Sequence, residues 1–178
     1  MLSSEKNFMK RLFSIEMNLF GFEVNVVFLV EKEVVLAYSW HYSEEKARQV
    51  LRKIAEFHKI EGEVLKSLHL EKWLKNEIDR VVLKGEQFKM PDFEYRNRIV
   101  YENIINIPAG KTETYAAIAR KSNVKFPELL ITLMRNPFQI LIPCHRLVTK
   151  RGTLMGFYPL GKNVKKKILE VEGVRIDE

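Results

Sequence analysis

The sequence holds one cysteine, four histidines and eight glycines in 178 residues. One cysteine excludes an internal disulfide. With only His41, His58, His69 and His145 beside it, there is no Cys/His spacing of a structural zinc site, so neither a metal nor a cofactor is expected. Long apolar runs are missing as well. Stretches such as Val26-Val27-Phe28-Leu29-Val30 fall far short of the roughly 18 residues needed to cross a bilayer, and the N-terminus lacks a signal-peptide pattern. The expected location is the cytoplasm, or the nucleus in a eukaryote.

What is there is ordinary in bulk and uneven in charge. At 46% hydrophobic and 30% charged residues, the composition is that of a soluble globular protein. The net charge of +7 is not shared equally. Residues 1–91 carry 15 Lys+Arg against 14 Asp+Glu, whereas 92–178 carry 15 against 9. The second half is therefore the one that attracts phosphates, and a solvated basic surface is the competing account of it.

Three blocks follow along the chain. Residues 1–85 form an expected scaffold domain of α/β type, a small sheet with helices. No element is assigned to residues 1 to about 20. Glu23 to Val30 and Glu33 to Trp40 predict a hairpin turning at Glu31-Lys32. Ser43 opens a helix whose apolar row is Ala47, Val50, Leu51, Ile54 and Phe57; Leu65 to Leu70 suggests a short strand, and Glu71 to Val82 a second helix. Residues 86–91 form the linker. Residues 92–178 make a mainly α domain. Asp92 is the candidate cap of a helix carrying Phe93, Arg96, Val100 and Ile104, Thr114 caps a short helix from Tyr115, and Pro127 stands near the start of another that runs to Arg135. The last two, joined by Ser122-Asn123, have the form of a helix-turn-helix of winged-helix type. At 100° per residue the second helix puts Leu129, Leu130, Leu133 and Met134 on one side and Glu128, Thr132 and Arg135 on the other, the side DNA would meet, with Lys125 just before it. A final helix has Val164, Ile168 and Val171 on its apolar row and Lys162, Lys165, Lys166 and Lys167 on a face read as solvated.

The chemistry concentrates in Asn136-Pro137-Phe138-Gln139-Ile140-Leu141-Ile142-Pro143-Cys144-His145-Arg146. A thiol attacks as thiolate, and its usual pKa near roughly 8.5 calls for a base, a cation or a helix N-terminus. His145 and Arg146 are adjacent. On an extended segment neighbouring side chains point to opposite sides, so His145 need not touch the sulfur and can act through a water or through local backbone geometry.

Asn-Pro, a short apolar run and Pro-Cys-His-Arg resemble the active-site signature of the O6-alkylguanine-DNA alkyltransferases, repair proteins that move an alkyl group from DNA to their own cysteine. Ile107-Pro108-Ala109-Gly110-Lys111-Thr112-Glu113-Thr114-Tyr115 precedes it, and Gly156, Tyr158, Gly161 and Leu169-Glu170-Val171-Glu172-Gly173 follow, at similar spacing. The resemblance implies Cys144 as alkyl acceptor, His145 as the residue that removes its proton through a water, and Glu172 as the carboxylate holding His145. It further implies Asn136 as a hinge between helix and cysteine loop, Tyr115 as donor to the guanine, and Tyr115, Val148, Tyr158 and Pro159 around the base. The implied partner is double-stranded DNA containing O6-alkylguanine, met by a monomer.

Two positions depart from that pattern. Glu128 stands where the family places an arginine that enters the base stack, and a carboxylate is repelled by phosphate. Pro159 stands where a backbone N–H usually reaches the base oxygen, and proline has none. Rival readings are a non-enzymatic protein that flips alkylated bases, and a turnover hydrolase using Cys144, His145 and Glu172.

Overall fold

The computed structural model describes residues 16–176. Its first part is an antiparallel sheet built on one long strand: β2 (Phe22–Glu31) pairs with β3 (Val34–His41) along one edge, while β1 (Glu16–Leu19) and β4 (Glu63–Leu65) pair with successive stretches of β2. The hairpin turns through Lys32 and Glu33, both at positive φ, one residue later than expected. β-Branched and aromatic side chains explain the strands, and Val24, Val26, Val27, Phe28, Tyr38 and Trp40 are all buried. β1 escaped the sequence reading because it is four residues long and only part of it is apolar.

Helix α1 (Glu44–His58) covers the sheet. The Ser43 side chain accepts from the Lys46 N–H, Glu44 and Glu45 favour the positive end of the helix, and Lys59 in the left-handed region closes it. Its row of Ala47, Val50, Leu51 and Ile54 is buried against β2 and β3. Burying one such leucine contributes about 2 kcal/mol, so Leu51→Ala, which also leaves a cavity, costs about 2–5 kcal/mol. Helix α2 (Leu68–Ile78) begins earlier than expected because Ser67 caps it through the Leu70 N–H, so most of the strand expected at Leu65 to Leu70 is helix and β4 ends at Leu65. It runs on into a wider π turn, Asp79–Leu83.

The second half opens with a correction. No helix starts at Asp92. The chain turns through 92–97, and α3 (Arg98–Ile105) begins only after Asn97, which is left-handed, so Phe93 and Arg96 precede the helix. Strand β5 (Glu113–Thr114) leads into α4 (Tyr115–Ser122), capped by Thr114 through the Ala117 N–H. Helix α5 (Phe126–Met134) has Pro127 in its first turn. A loop and a 3-10 turn, Cys144–Arg146, lead to β6 (Leu147–Val148), which pairs in parallel with β5, and α6 (Lys162–Val171) ends the described chain's helices. No described helix is long and apolar enough to cross a membrane.

The two halves share one continuous cluster of buried side chains. β3 clamps the loop before the cysteine: the Tyr38 N–H donates to Pro137 O at 3.0 Å, the Tyr38 hydroxyl to Gln139 O, and the Trp40 indole N–H to Gln139 Oε1. His58 at the end of α1 accepts from the Arg96 N–H through Nδ1 at 3.1 Å and meets Arg135 O through Nε2 at 2.8 Å. A donor N–H at Nδ1 and an accepting carbonyl at Nε2 fix the tautomer with its proton on Nε2.

Candidate active site

Asn136 follows α5 and organises the loop beyond it. Its Oδ1 accepts from the Phe138 N–H at 2.9 Å, and its Nδ2 donates to Ile142 O at 3.0 Å and to Cys144 Sγ at 2.7 Å. One short side chain thereby fixes both ends of the turn and places a donor on the sulfur. Within the turn, Ile140 has φ +75, a conformation that β-branched residues rarely adopt and that costs on the order of 1–3 kcal/mol. The fold holds it there through the Ile142 N–H bond to Phe138 O at 2.7 Å and the β3 clamp.

Cys144 is buried, and burial pushes its thiol up to about 11, against the opposing pull of the Asn136 amide and the charge of Lys165. The thiol at rest is therefore protonated. His145 is completely buried beside it. The backbone here is a 3-10 turn and not the extended segment expected from sequence, and the imidazole reaches Glu172, with Nε2 to Oε1 at 2.6 Å. Arg146, also buried, grips the same carboxylate through Nε and Nη2 and donates to Ile107 O at 2.7 Å and Val81 O at 3.3 Å. Burial raises the Glu172 carboxyl, but the hydrogen bonds and charges of His145 and Arg146 outweigh it and hold it below the usual carboxylate range. Burial likewise lowers His145, more than Glu172 raises it, so the imidazole is neutral.

These facts fix the tautomer. An ionised carboxylate only accepts, so the proton sits on Nε2 and Nδ1 carries a lone pair. Nδ1 is buried and has no hydrogen-bond partner among the described residues, and it shares no direct hydrogen bond with Cys144. Gly110, at φ +81, sits in the turn before β5, and a Cβ there would come within 3.3 Å of Glu172 O, so the Pro108-Ala109-Gly110 turn packs directly on the end of α6.

In front of Cys144 lies a cavity of about 460 Å³ walled by Tyr115, Leu130, Leu133, Met134, Tyr158 and Pro159, with Gln139, Met155 and Gly156 completing it. Tyr115 is buried, and desolvation raises its hydroxyl far above the usual tyrosine range, keeping it a neutral donor. Its oxygen accepts from Lys165 Nζ at 2.7 Å. The solvated face assigned to Lys165 is corrected here. The residue is 1% exposed, because α6 turns that side toward Tyr115 and not toward solvent. Three lysines in a row hid it, since sequence alone gives no means of telling which one faces inward.

The other expected residues divide. Tyr158 and Pro159 line the cavity with Tyr115 and Cys144. Val148 does not; it is buried in β6 against Leu154 and Leu169. Thr132 is corrected from the exposed face to the interior: it is 0% exposed, donates to Glu128 O at 2.7 Å and accepts from Asn97 Nδ2 at 2.8 Å. Glu128 is not free either. Its Oε1 accepts from Arg96 at 3.1 Å and Asn97 at 2.8 Å, and the Arg96 guanidinium also lies 4.4 Å from the Phe57 ring centre. The helix is rolled from the orientation drawn at 100° per residue because the chain before α3 packs against the Glu128–Thr132 side. Arg135 is half-buried and Lys125 exposed at opposite ends of α5.

The site thus combines a shielded thiol, an imidazole anchored by a carboxylate and an apolar cavity before the sulfur. A family profile described as 6-O-methylguanine DNA methyltransferase, DNA binding domain, matches residues 96–174. The resemblance carried by Pro143-Cys144-His145-Arg146 and its flanks thus holds through that whole segment. Over 84 residues the chain is 37% identical to a methylated-DNA–protein-cysteine methyltransferase of Methanothermobacter thermautotrophicus, covering 47% of each. Over 79 residues it is 37% identical to the protein of that name from Saccharolobus solfataricus, covering 44% of this chain and 51% of the other. The chain spans about half the length of these curated relatives. The fold is similar over more of the chain. The crystal structure of O6-methylguanine-DNA methyltransferase from Pyrococcus kodakaraensis superposes with a TM-score of 0.63 at 23% identity, covering 85% of this chain and 93% of that one. The O6-methylguanine DNA methyltransferase of Methanococcus jannaschii gives 0.55 at 22%, covering 88% and 92%.

Proposed function

We propose that this protein repairs DNA by moving an alkyl group from O6 of guanine to Cys144, once per molecule. The observation that carries the reading is the carboxylate-anchored His145, with its buried, unpartnered Nδ1, next to a thiol that opens on an apolar cavity. The Cys144 proton leaves toward Nδ1 through a bridging solvent molecule, and the imidazolium so formed is stabilised by Glu172. The sulfur forms a bond to the alkyl carbon as the carbon–oxygen bond breaks, and the electron pair stays on the guanine. Tyr115 gives its proton to a ring nitrogen of the departing base, with Lys165 supporting the phenol oxygen. Such proton assistance is worth roughly two to four orders of magnitude in rate. The thioether has no leaving group, so the protein is spent.

In this reading residues 1–85 are the scaffold, 86–91 the linker and 92–178 the DNA-binding and transfer domain. Helices α4 and α5 act as a helix-turn-helix, with the β5/β6 pair as its small sheet, and DNA is met by a monomer in the cytoplasm, or the nucleus of a eukaryote. The excess of cations in 92–178 supports this assignment. Mass spectrometry after incubation with O6-methylguanine DNA tests it: the expected result is one methyl group on Cys144. Unchanged protein with bound DNA would favour a base-flipping binder, and released product beyond one equivalent a turnover enzyme.

A further inference from the structure

The Gln139 side chain lies on the cavity wall, and the fold dictates which of its ends faces where. The indole of Trp40 can only donate, and it donates to Gln139 Oε1. The carboxamide therefore has its oxygen bound to the sheet and its nitrogen on the other side. Trp40 is 0% exposed in the core, so this anchor is rigid. The backbone of the same residue is held by the Tyr38 hydroxyl on Gln139 O. The amide nitrogen has no acceptor among the described residues, and Gln139 lines the same cavity as Cys144, Tyr115 and Pro159. Two aromatic residues of β3 thus hold an amide whose N–H groups are unused, in a wall where Pro159 contributes no N–H.

We propose that the Gln139 side-chain amide is a substrate-binding group that donates a hydrogen bond to the exocyclic oxygen of the alkylated base. The inference rests on the alkyl-transfer reading. That oxygen gains charge as its bond to the alkyl carbon breaks, so a fixed donor there stabilises the transition state more than the ground state. Gln139 takes the part that a backbone N–H at position 159 cannot play in this chain. Its orientation comes from the first half of the protein, through Trp40, and costs nothing at the moment of reaction.

The test compares two free substrates, O6-benzylguanine and its 6-thio counterpart S6-benzyl-6-thioguanine, whose sulfur is a poor acceptor. Gln139→Met should slow transfer from the oxygen compound about ten- to a hundredfold, the loss expected for a hydrogen bond to a charge-bearing oxygen, and from the sulfur compound less than about threefold. Gln139→Met leaves the Trp40 N–H unpartnered in the core, so the double variant Trp40→Phe/Gln139→Leu, which removes both groups, should give the same selective loss with a higher melting temperature. Trp40→Phe alone, which frees the amide to rotate, should fall between wild type and Gln139→Met. Equal slowing of both substrates, or of neither, overturns the inference while transfer by the wild type leaves the functional reading standing. A wild-type protein that forms no benzyl adduct on Cys144 overturns both.

Discussion

Lys165 donates to the Tyr115 hydroxyl at 2.7 Å from inside the protein, its ammonium also 5.2 Å from the centre of the tyrosine ring. A lysine has donors only, so the phenol oxygen must accept, and the phenol's own hydrogen is turned away from Lys165. Lys165→Met removes that orientation and the cation that draws the Cys144 pKa down. Transfer should slow by about ten- to a hundredfold, and the pH midpoint for iodoacetamide labelling of Cys144 should move upward. An unmoved midpoint would show that the charge does not reach the sulfur.

Glu172 holds both the neutral His145 and the charged Arg146, so its loss should be felt twice. Glu172→Gln should cut the transfer rate by about two to four orders of magnitude by releasing the His145 tautomer. It also leaves the Arg146 guanidinium buried without a counter-ion, which costs about 3–5 kcal/mol. Because the folded carboxyl lies below its ordinary range, the stability it contributes is present above the unfolded value near 4.5 and is lost as pH falls through the lower folded value. Urea unfolding should show wild type and variant converging on acidification.

His58 should give the protein an acid-sensitive seam. Burial, reinforced by the charge of Arg96 and opposed by the bond to Arg135 O, lowers its pKa from 6.5 to about 4. Neutral His58 is required by the Arg96 N–H on Nδ1, so its contribution is complete above about 6.5 and is lost as pH falls toward 4, on the order of 3 kcal/mol in all. Glu71 opposes it. Burial pushes that carboxyl up to about 7, so its contribution is present below 4.5 and lost as pH rises through 7. Between pH 4.5 and 6.5 wild type should therefore show a muted slope, Glu71→Gln a clear loss on acidification, and His58→Asn a gain.

Arg96 is held by Glu128, and releasing it should strengthen DNA binding. Glu128→Gln keeps an acceptor for Asn97 and removes the charge that pairs the guanidinium. Affinity for duplex DNA should rise, and the slope of log affinity against log salt should steepen by up to about 0.9, one phosphate contact. A slope identical to wild type would place this face of α5 away from the phosphates.

The sequence displayed this site more plainly than its surroundings. Cys144, His145, Asn136, Tyr115 and Glu172 were legible because each is tied to a fixed place in a motif. Capping chemistry located α1 and α4, whose Ser43 and Thr114 bonds are made as expected. What stayed hidden depends on contacts between distant segments. The roll of α5 is set by Asn97, thirty-odd residues away, and so Thr132 was placed on the wrong face. Lys165 is inside because α6 leans on Tyr115. Gln139 has no local signal at all, since its meaning comes from Trp40, on a strand in the other half of the chain.

The burial of Cys144 also sets how long the protein keeps. A thiol titrating at about 11 is ionised in about one molecule in ten thousand at neutral pH, and oxidants attack the thiolate. In the proposed reading, an acceptor used once has to survive every peroxide it meets before its lesion. In that reading, the apolar walls that receive the alkyl group also shield the unused sulfur until a substrate fills the space in front of it.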